Sequence, residues 1–428
     1  MNLNNLNFKN IDTLSVFILL IPVFIIIGNS AINLSCFIII LLGISKFFKE
    51  IKDYFLVYQK QILILFVFFI INNFFSSDNF LSLRGSLNII KYILLASILY
   101  IWFRNKNNFN LFLFLIIISS TILTLSIYVE FINFLINKNL LNDRYAGLFF
   151  DEEVAGSYLA KFLTVTLIIF SLNLKKFKIS NLSKIFYIIF IYSGILVTMD
   201  RMPFIMISMS LFIFILFTTK INIYHKIISL IISLTVLISI YVISPKIQGK
   251  VWYTLSQLGF KNIIAKIETP DEHKPTLEAG LVNKSFYETK WSAHFVTAYK
   301  IGENSFLIGN GIKTFRKDCR KEIYISDKYD PKLITHRCST HPHNIYFELF
   351  AETGIIGLFI FLYFHFLVLR KIFLSKEKEN KIVSITIMFL LFFPIQTTGS
   401  YFSTFNGIFY FINLATVAYI SSNKFFKK

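Results

Sequence analysis

Residues 340–358 read THPHNIYFELFAETGIIGL, which sets His341, His343, Asn344, Glu348 and Glu352 just ahead of, and then inside, an otherwise apolar run. Imidazoles and carboxylates in one short stretch are the groups of proton transfer. Pro342 fits a first helical position with Thr340 or His341 as its cap, so a helix is expected to start there with His343 in its first turn. The positive end of the helix dipole disfavours imidazolium and leaves a neutral ring able to take a proton, the role of a general base. Asn344, Glu348 and Glu352 recur every four residues, so one helix face is expected to carry an amide and two carboxylates toward the interior. Gly354 and Gly357 leave room for a neighbouring helix to come close. Two other readings stay open at this point. His336, Cys338, His341 and His343 are all metal-ligand types, although their crowding around Pro342 matches no common zinc spacing and no metal is expected. The same groups would also serve as interfacial anchors and hydrogen-bonded packing residues.

A second set of polar groups accompanies them. Arg84 stands before one apolar run, NDRYAGLFFDEE (142–153) before another, and TMDRMP (198–203) between two more. Charges at membrane depth cost several kcal/mol unless paired or facing water, so such residues are candidates for function. Arginine matches phosphate with a planar fork of donors, which lysine lacks. Three arginines, Arg84, Arg144 and Arg201, on one side of a membrane suit a diphosphate. The blander alternative pairs Arg144 with Asp143 or Asp151, and Arg201 with Asp200.

The elements that must position these groups are membrane helices. Of the 428 residues 55% are hydrophobic and only 16% charged, well below the roughly 25% charged residues of a soluble domain. Apolar runs of about 18 residues or more recur along the chain, long enough for helices and too long for barrel strands. The fold class is therefore all-α and polytopic, with about twelve spans near 11–28, 31–45, 61–75, 87–103, 111–136, 154–173, 182–199, 202–219, 225–243, 345–369, 382–397 and 405–421. The first run has no small-residue exit and is expected to be retained.

Lys and Arg concentrate in alternate loops, such as Lys46, Lys49, Lys52 and Lys60, then Lys175, Lys176, Lys178 and Lys184, then Arg370, Lys371, Lys376, Lys378 and Lys381, and in the 424–428 tail. These loops and both termini are expected in the cytoplasm. The poorer set, with Arg84, Lys138, Arg144 and Arg201, faces outward, as does one long insertion. The net charge of +19 is thus spread over loops as a topology signal, and nucleic acid is not an expected partner. The chain divides into helices one to nine (1–243), an external loop domain (244–343) and helices ten to twelve (344–428). Within the loop domain a linker at 269–275 separates two stretches of helical apolar spacing, one through Val251, Trp252, Leu255 and Leu258 and one through Trp291, Phe295 and Ala298. The second carries Lys290, His294 and Lys300 and suits a helix on the membrane interface. Of three cysteines, Cys319 and Cys338 both lie in this domain and in an oxidising compartment would be able to close a disulfide.

A many-span chain with a long late external loop closed by HPHNIYFELFAETGIIGL resembles the O-antigen ligase and O-antigen polymerase family of bacterial surface-polysaccharide assembly. RYAGLFFDEEVAGSYLA (144–160) is similar to its Arg-x-x-Gly-x-Phe element, TMDRMPFIM (198–206) to its Arg-bearing turn, and KWSAHFVTAYKIGENSFLIGNGIKTF (290–315) to its loop helix and Gly-x-Gly turn. The resemblance spans roughly 80–410. It implies cofactor-free, metal-independent, inverting transfer of a glycan from undecaprenyl diphosphate to an acceptor hydroxyl, of lipid A core or of another glycan, on the periplasmic face of the inner membrane. The catalytic His then corresponds to His343 and the diphosphate ligands to Arg144 and Arg201, with Lys290 where members often carry Arg. His341, Asn344, Glu348, Glu352, Arg84 and Arg337 would support them. The acidic run 151–153 departs from the Pro-Asn of many members. Ligase is the leading reading, followed by polymerase and protein O-glycosylation. A glycolipid transporter would need charges through the midplane or interrupted helices with repeat symmetry, and the sequence displays neither.

Overall fold

A computed structural model describes residues 11–137, 144–150, 152–171, 181–219, 221–244, 247–249, 289–397 and 399–422. Asp143, Asp151, Lys138, the lysines at 175, 176 and 178, the 251–258 stretch, the 269–275 linker and the 424–428 tail lie outside them. Helices dominate and no strand occurs among the described residues. In chain order they are α1 (Thr13–Leu19), α2 (Ile21–Ile27), α3 (Asn29–Val57), α4 (Gln59–Phe74), α5 (Asn79–Phe103), α6 (Lys106–Asn137), α7 (Ala155–Ser171), α8 (Asn181–Val197), α9 (Arg201–Phe217), α10 (Ile223–Ile243), α11 (Lys290–Asn304), α12 (Phe315–Asp318), α13 (Ile345–Leu374), α14 (Lys378–Phe392) and α15 (Thr404–Ser422).

Helix underlies every expected apolar segment, and α3, α5, α6, α10 and α13 are each long and apolar enough to cross a membrane. The first expected span is instead two seven-residue helices, α1 and α2, broken at Leu20. Pro22 explains the break, because its missing N–H and its ring disfavour a continuous helix. Outward faces are apolar: α10 exposes Ile227, Leu230, Ile231, Leu234, Ile238 and Val242. Water would not tolerate such a surface and lipid does, so the chain is a multi-pass membrane protein.

Inside, aromatic side chains fill the gaps between helices. Tyr92 of α5 stacks on Phe411 of α15 with centroids 5.7 Å apart, and its hydroxyl donates to the Thr404 carbonyl at 2.8 Å. Tyr158 of α7 donates to Pro22 O at 3.0 Å and to Ser119 Oγ at 2.9 Å, tying α7 to α2 and α6.

The feature that positions the loop domain is a break within α13. Gly354 has φ +62° and ψ −170°, a region essentially closed to residues with a Cβ. The backbone groups freed there bond to the segment after α11. Ile355 N donates to Phe306 O at 2.8 Å and Ile356 N to Leu307 O at 3.2 Å, while Asn310 N and Gly311 N donate to Ala351 O and Glu352 O at 3.1 and 2.9 Å. The Gly-x-Gly turn is thus built into the break, and Gly354 accommodates loop backbone rather than the neighbouring helix expected from sequence. The helix is interrupted here, and loop backbone fills the break. A Cβ at Gly354 would stand 2.5 Å from the Leu307 carbonyl carbon and 2.6 Å from Ile308 N. Gly354→Ala is therefore expected to cost on the order of 3 kcal/mol or more. Thermal unfolding of the detergent-purified variant, compared with Gly357→Ala, checks this.

Candidate active site

His343 does not lie in the first helical turn. Asn344 is the N-cap of α13, accepting from Tyr346 N at 2.9 Å and Phe347 N at 3.2 Å. Asn344 wins over Thr340 and His341 because its amide also donates to Pro394 O at 2.7 Å and Gln396 O at 3.3 Å, so both ends of one side chain are satisfied. Asn344 is accordingly a cap and not part of a polar helix face. Pro342 and His343 precede the helix, and His343 has a φ of +59°. That turn points the imidazole back into the loop domain. Its Nε2 lies 3.1 Å from Ser339 Oγ, and its ring is 4.2 Å from His341, 5.0 Å from His294 and 5.3 Å from Trp291 by centroid.

The partners come from distant parts of the chain. Trp291 and His294 project from one face of α11, which packs on α13 through stacked Phe295 and Phe347, 4.9 Å apart. His294 Nδ1 is 3.2 Å from Arg337 O. Arg337 is buried and donates to Arg320 O at 2.9 Å and Lys321 O at 3.0 Å, beside a Cys319–Cys338 disulfide. This pairing commits Cys338 and withdraws its thiolate from any ligand set that includes His336, His341 and His343. Burial pushes His343 down to about 3, with the nearby His341 and His294 adding to the effect, and burial also lowers His294. The imidazole is therefore neutral at physiological pH. Lys290 is the exposed first residue of α11 and acts electrostatically on His294, so it joins the histidine group.

Glu348 and Glu352 are buried, as their spacing implies, yet neither orients the imidazole. Glu348 accepts from Ser400 Oγ and, at 2.8 Å, from Tyr401 N. Glu352 accepts from Lys313 N at 2.6 Å and Phe315 N at 3.2 Å. Each carboxylate thus fastens a loop to α13 through backbone donors.

A second group forms where α6, α7 and α9 converge. Arg144 Nε is 3.2 Å from Glu153 Oε2 and its Nη1 is 3.5 Å from Asp200 Oδ1. Among the described residues Arg144 thus pairs with Glu153 and with Asp200, while Asp143 and Asp151, the partners anticipated from sequence, lie outside them. Glu130 of α6 holds the turn by accepting from Gly147 N at 2.8 Å. Asp200 feels Arg144, Lys161, Glu153 and Arg201, and burial raises it to about 6. Gly156 lets α7 approach this turn, since a Cβ there would sit 2.7 Å from Asp200 Cβ. Lys161 of α7 is a member that sequence reading missed. Its Nζ donates to Asn406 Oδ1 at 2.6 Å and lies 5.0 Å from the Phe409 ring centroid. One cation inside an otherwise apolar helix was the available signal.

Backbone strain marks the same places. The non-glycine residues with positive φ among the described residues are Phe150, Met199, Lys313 and His343. Phe150 lies between Arg144 and Glu153, Met199 adjoins Asp200, and Lys313 follows the Gly-x-Gly turn. Such conformations cost on the order of 1–3 kcal/mol each and persist where surroundings enforce them, often at functional sites. Arg84 lies apart from Arg144 and Arg201, exposed on α5 and in electrostatic contact with Lys313.

Residues 185–362 match the family model described as O-antigen ligase. No curated protein matches the sequence.

Proposed function

We propose that the chain, whose residues 185–362 match the O-antigen ligase family model, belongs to the O-antigen ligase and polymerase family and is a ligase. In this reading it moves a glycan from undecaprenyl diphosphate to a hydroxyl of lipid A core. The observation that carries this reading is His343, a neutral imidazole held by a strained turn beside a capped helix, with an arginine group separately placed in the bundle. His343 takes the acceptor hydroxyl proton as that oxygen attacks the anomeric carbon. The carbon–oxygen bond to the diphosphate breaks on the opposite face, which inverts the configuration. Arg144 and Arg201 receive the charge that develops on the departing diphosphate, a role in which fixed guanidinium groups substitute for a divalent cation.

A pKa near 3 makes the resting imidazole a weak base. Arrival of a diphosphate, with its negative charge, raises that value toward neutrality and couples base strength to donor binding. The proposed topology has twelve crossings of the bacterial inner membrane, both termini in the cytoplasm, and the 244–343 domain in the periplasm. The Cys319–Cys338 bond favours that side, because such bonds persist in oxidising compartments.

A gel of lipopolysaccharide and carrier-linked glycan from cells lacking the protein tests the acceptor. Long chains that stay on the carrier, with core left bare until the wild-type chain is restored, are expected for a ligase. Core bearing a single repeat in the deleted strain would identify a polymerase instead, and an unchanged lipopolysaccharide pattern would point to protein glycosylation or another polymer.

A further inference from the structure

The loop domain meets α5 through a cation group that the transfer mechanism above does not use. Residues 310–317 dock on the start of α5: Ser77 N donates to Asn310 O at 2.8 Å, and Ile312 N to Ser82 Oγ at 3.3 Å. Nearby lysines find carboxylates, Lys317 with Asp78 and Lys321 with Asp318. Arg84, Lys313 and Arg316 do not. Among the described residues their side chains make no hydrogen bond or ion pair. Lys313 nevertheless has Arg316, Arg84 and Lys91 as charged neighbours. Its stem lies along α5, with Cγ 3.5 Å from where a Cβ on Gly85 would stand. The acidic group beside it, Glu352, uses both oxygens on the backbone N–H groups of Lys313 and Phe315. Those bonds hold Lys313 in a left-handed conformation with φ +65°. Lys313 is thus strained and set among like charges, and the nearby carboxylates Glu352 and Glu348 spend their oxygens on other donors, so the side chains of Lys313, Arg84 and Arg316 keep their donors for an arriving anion.

This group is separate from Arg144. The 400–406 segment runs between them, bonded on one side to α5 through Asn88 Nδ2 to Phe402 O at 3.0 Å and on the other to α7 through Lys161. Glu348, one turn into α13 from the cap beside His343, feels both Lys313 and Arg316. One cation group thus lies beside the start of α13 and the other beyond the 400–406 segment, and a reaction between two lipid-borne headgroups needs two such groups.

We propose that Arg84, Lys313 and Arg316, backed by Lys91, form a second anion site that binds a phosphate group on the acceptor lipid. The proposal rests on the reading of Arg144 and Arg201 as the donor site. Phosphate on a lipid headgroup has two sources here, a phosphorylated lipid A core or the diphosphate of a second carrier-linked chain, and they specify different acceptors.

Native mass spectrometry of the detergent-purified full chain tests this, with three probes: lipid A core, the same lipid after phosphatase treatment, and undecaprenyl diphosphate. The variant is Arg84→Gln with Arg316→Gln, both exposed positions, and Arg84→Lys with Arg316→Lys is the charge-preserving control. With a lipid A core source, wild type retains the phosphorylated lipid about tenfold better than the dephosphorylated one. The Gln variant erases that preference and the Lys variant restores most of it. With a carrier source, wild type binds two equivalents of undecaprenyl diphosphate and the Gln variant one. Binding of lipid A core indifferent to its phosphates, together with one carrier equivalent in wild type and Gln variant alike, would overturn the second site. Failure of wild type to bind any undecaprenyl diphosphate would overturn the donor-site reading itself.

Discussion

Replacing His343 by alanine is expected to lower glycan transfer by about a thousandfold while leaving protein abundance and donor binding close to wild type. The imidazole Nε2 has a single hydroxyl neighbour, Ser339, and the ring packs against Trp291, His294 and His341, so alanine removes a proton acceptor together with those ring contacts. His343→Gln keeps the shape and polarity and should be as inactive, which separates base function from packing. Both variants are measured by turnover of purified protein with saturating donor. The pH dependence has a defined sign. With the free imidazole pushed down to about 3, it remains the unprotonated base as pH falls from 8 to 5. Any acid limb in kcat/KM above pH 5 must therefore come from another group. In the donor complex the diphosphate raises the imidazole, so the acid limb of kcat is expected at higher pH than that of kcat/KM. His341 and His294 face the same ring, and His341→Ala should move the limb further up by removing the electrostatic effect with which His341 lowers His343.

The second large effect is on donor affinity. Arg144→Ala should weaken binding of undecaprenyl diphosphate on the order of a hundredfold, and Arg201→Ala by about thirtyfold, the loss of one or two charge-assisted bonds. Arg144 is the worse loss because Glu153 and Asp200 would then face the diphosphate with one less balancing guanidinium. In the resting protein those carboxylates occupy Arg144 and compete with the ligand. Asp200, raised to about 6 with Arg144, Lys161, Glu153 and Arg201 around it, is ionised at pH 7 and becomes neutral as pH falls through 6. Donor affinity should consequently rise on acidification from pH 7 to 5.5, and Asp200→Asn should bind tightly at both values. Equilibrium binding across that range, with wild type and Asp200→Asn, reads the effect directly. An affinity that falls in parallel for both would contradict the competition.

Apolar run length made the helices legible, because spanning a hydrocarbon layer requires internal hydrogen bonding whatever the tertiary contacts. Ends and breaks were harder. Pro342 carries a local start signal, but Asn344 prevails through carbonyls fifty residues away at Pro394 and Gln396. Gly354 shows in the sequence only as a small residue, and what makes it a break is the backbone of residues 306–311. The site divides in the same way. His343 and the arginines stand out by type and position. His294 joins His343 only once α11 packs on α13, and Arg144 chooses Glu153 only once the 147–149 turn is formed. Glu348 and Glu352 looked like chemistry because buried carboxylates are costly, yet three loop amides and the Ser400 hydroxyl account for all of their oxygens.

The most direct test is release of undecaprenyl diphosphate from an undecaprenyl-diphosphate-linked glycan by the purified full chain, with lipid A core present and a chelator added. Release in step with extension of the acceptor, abolished by His343→Ala and absent without acceptor, is the expected result. No release from wild type, or equal release from His343→Ala, would contradict transfer through His343.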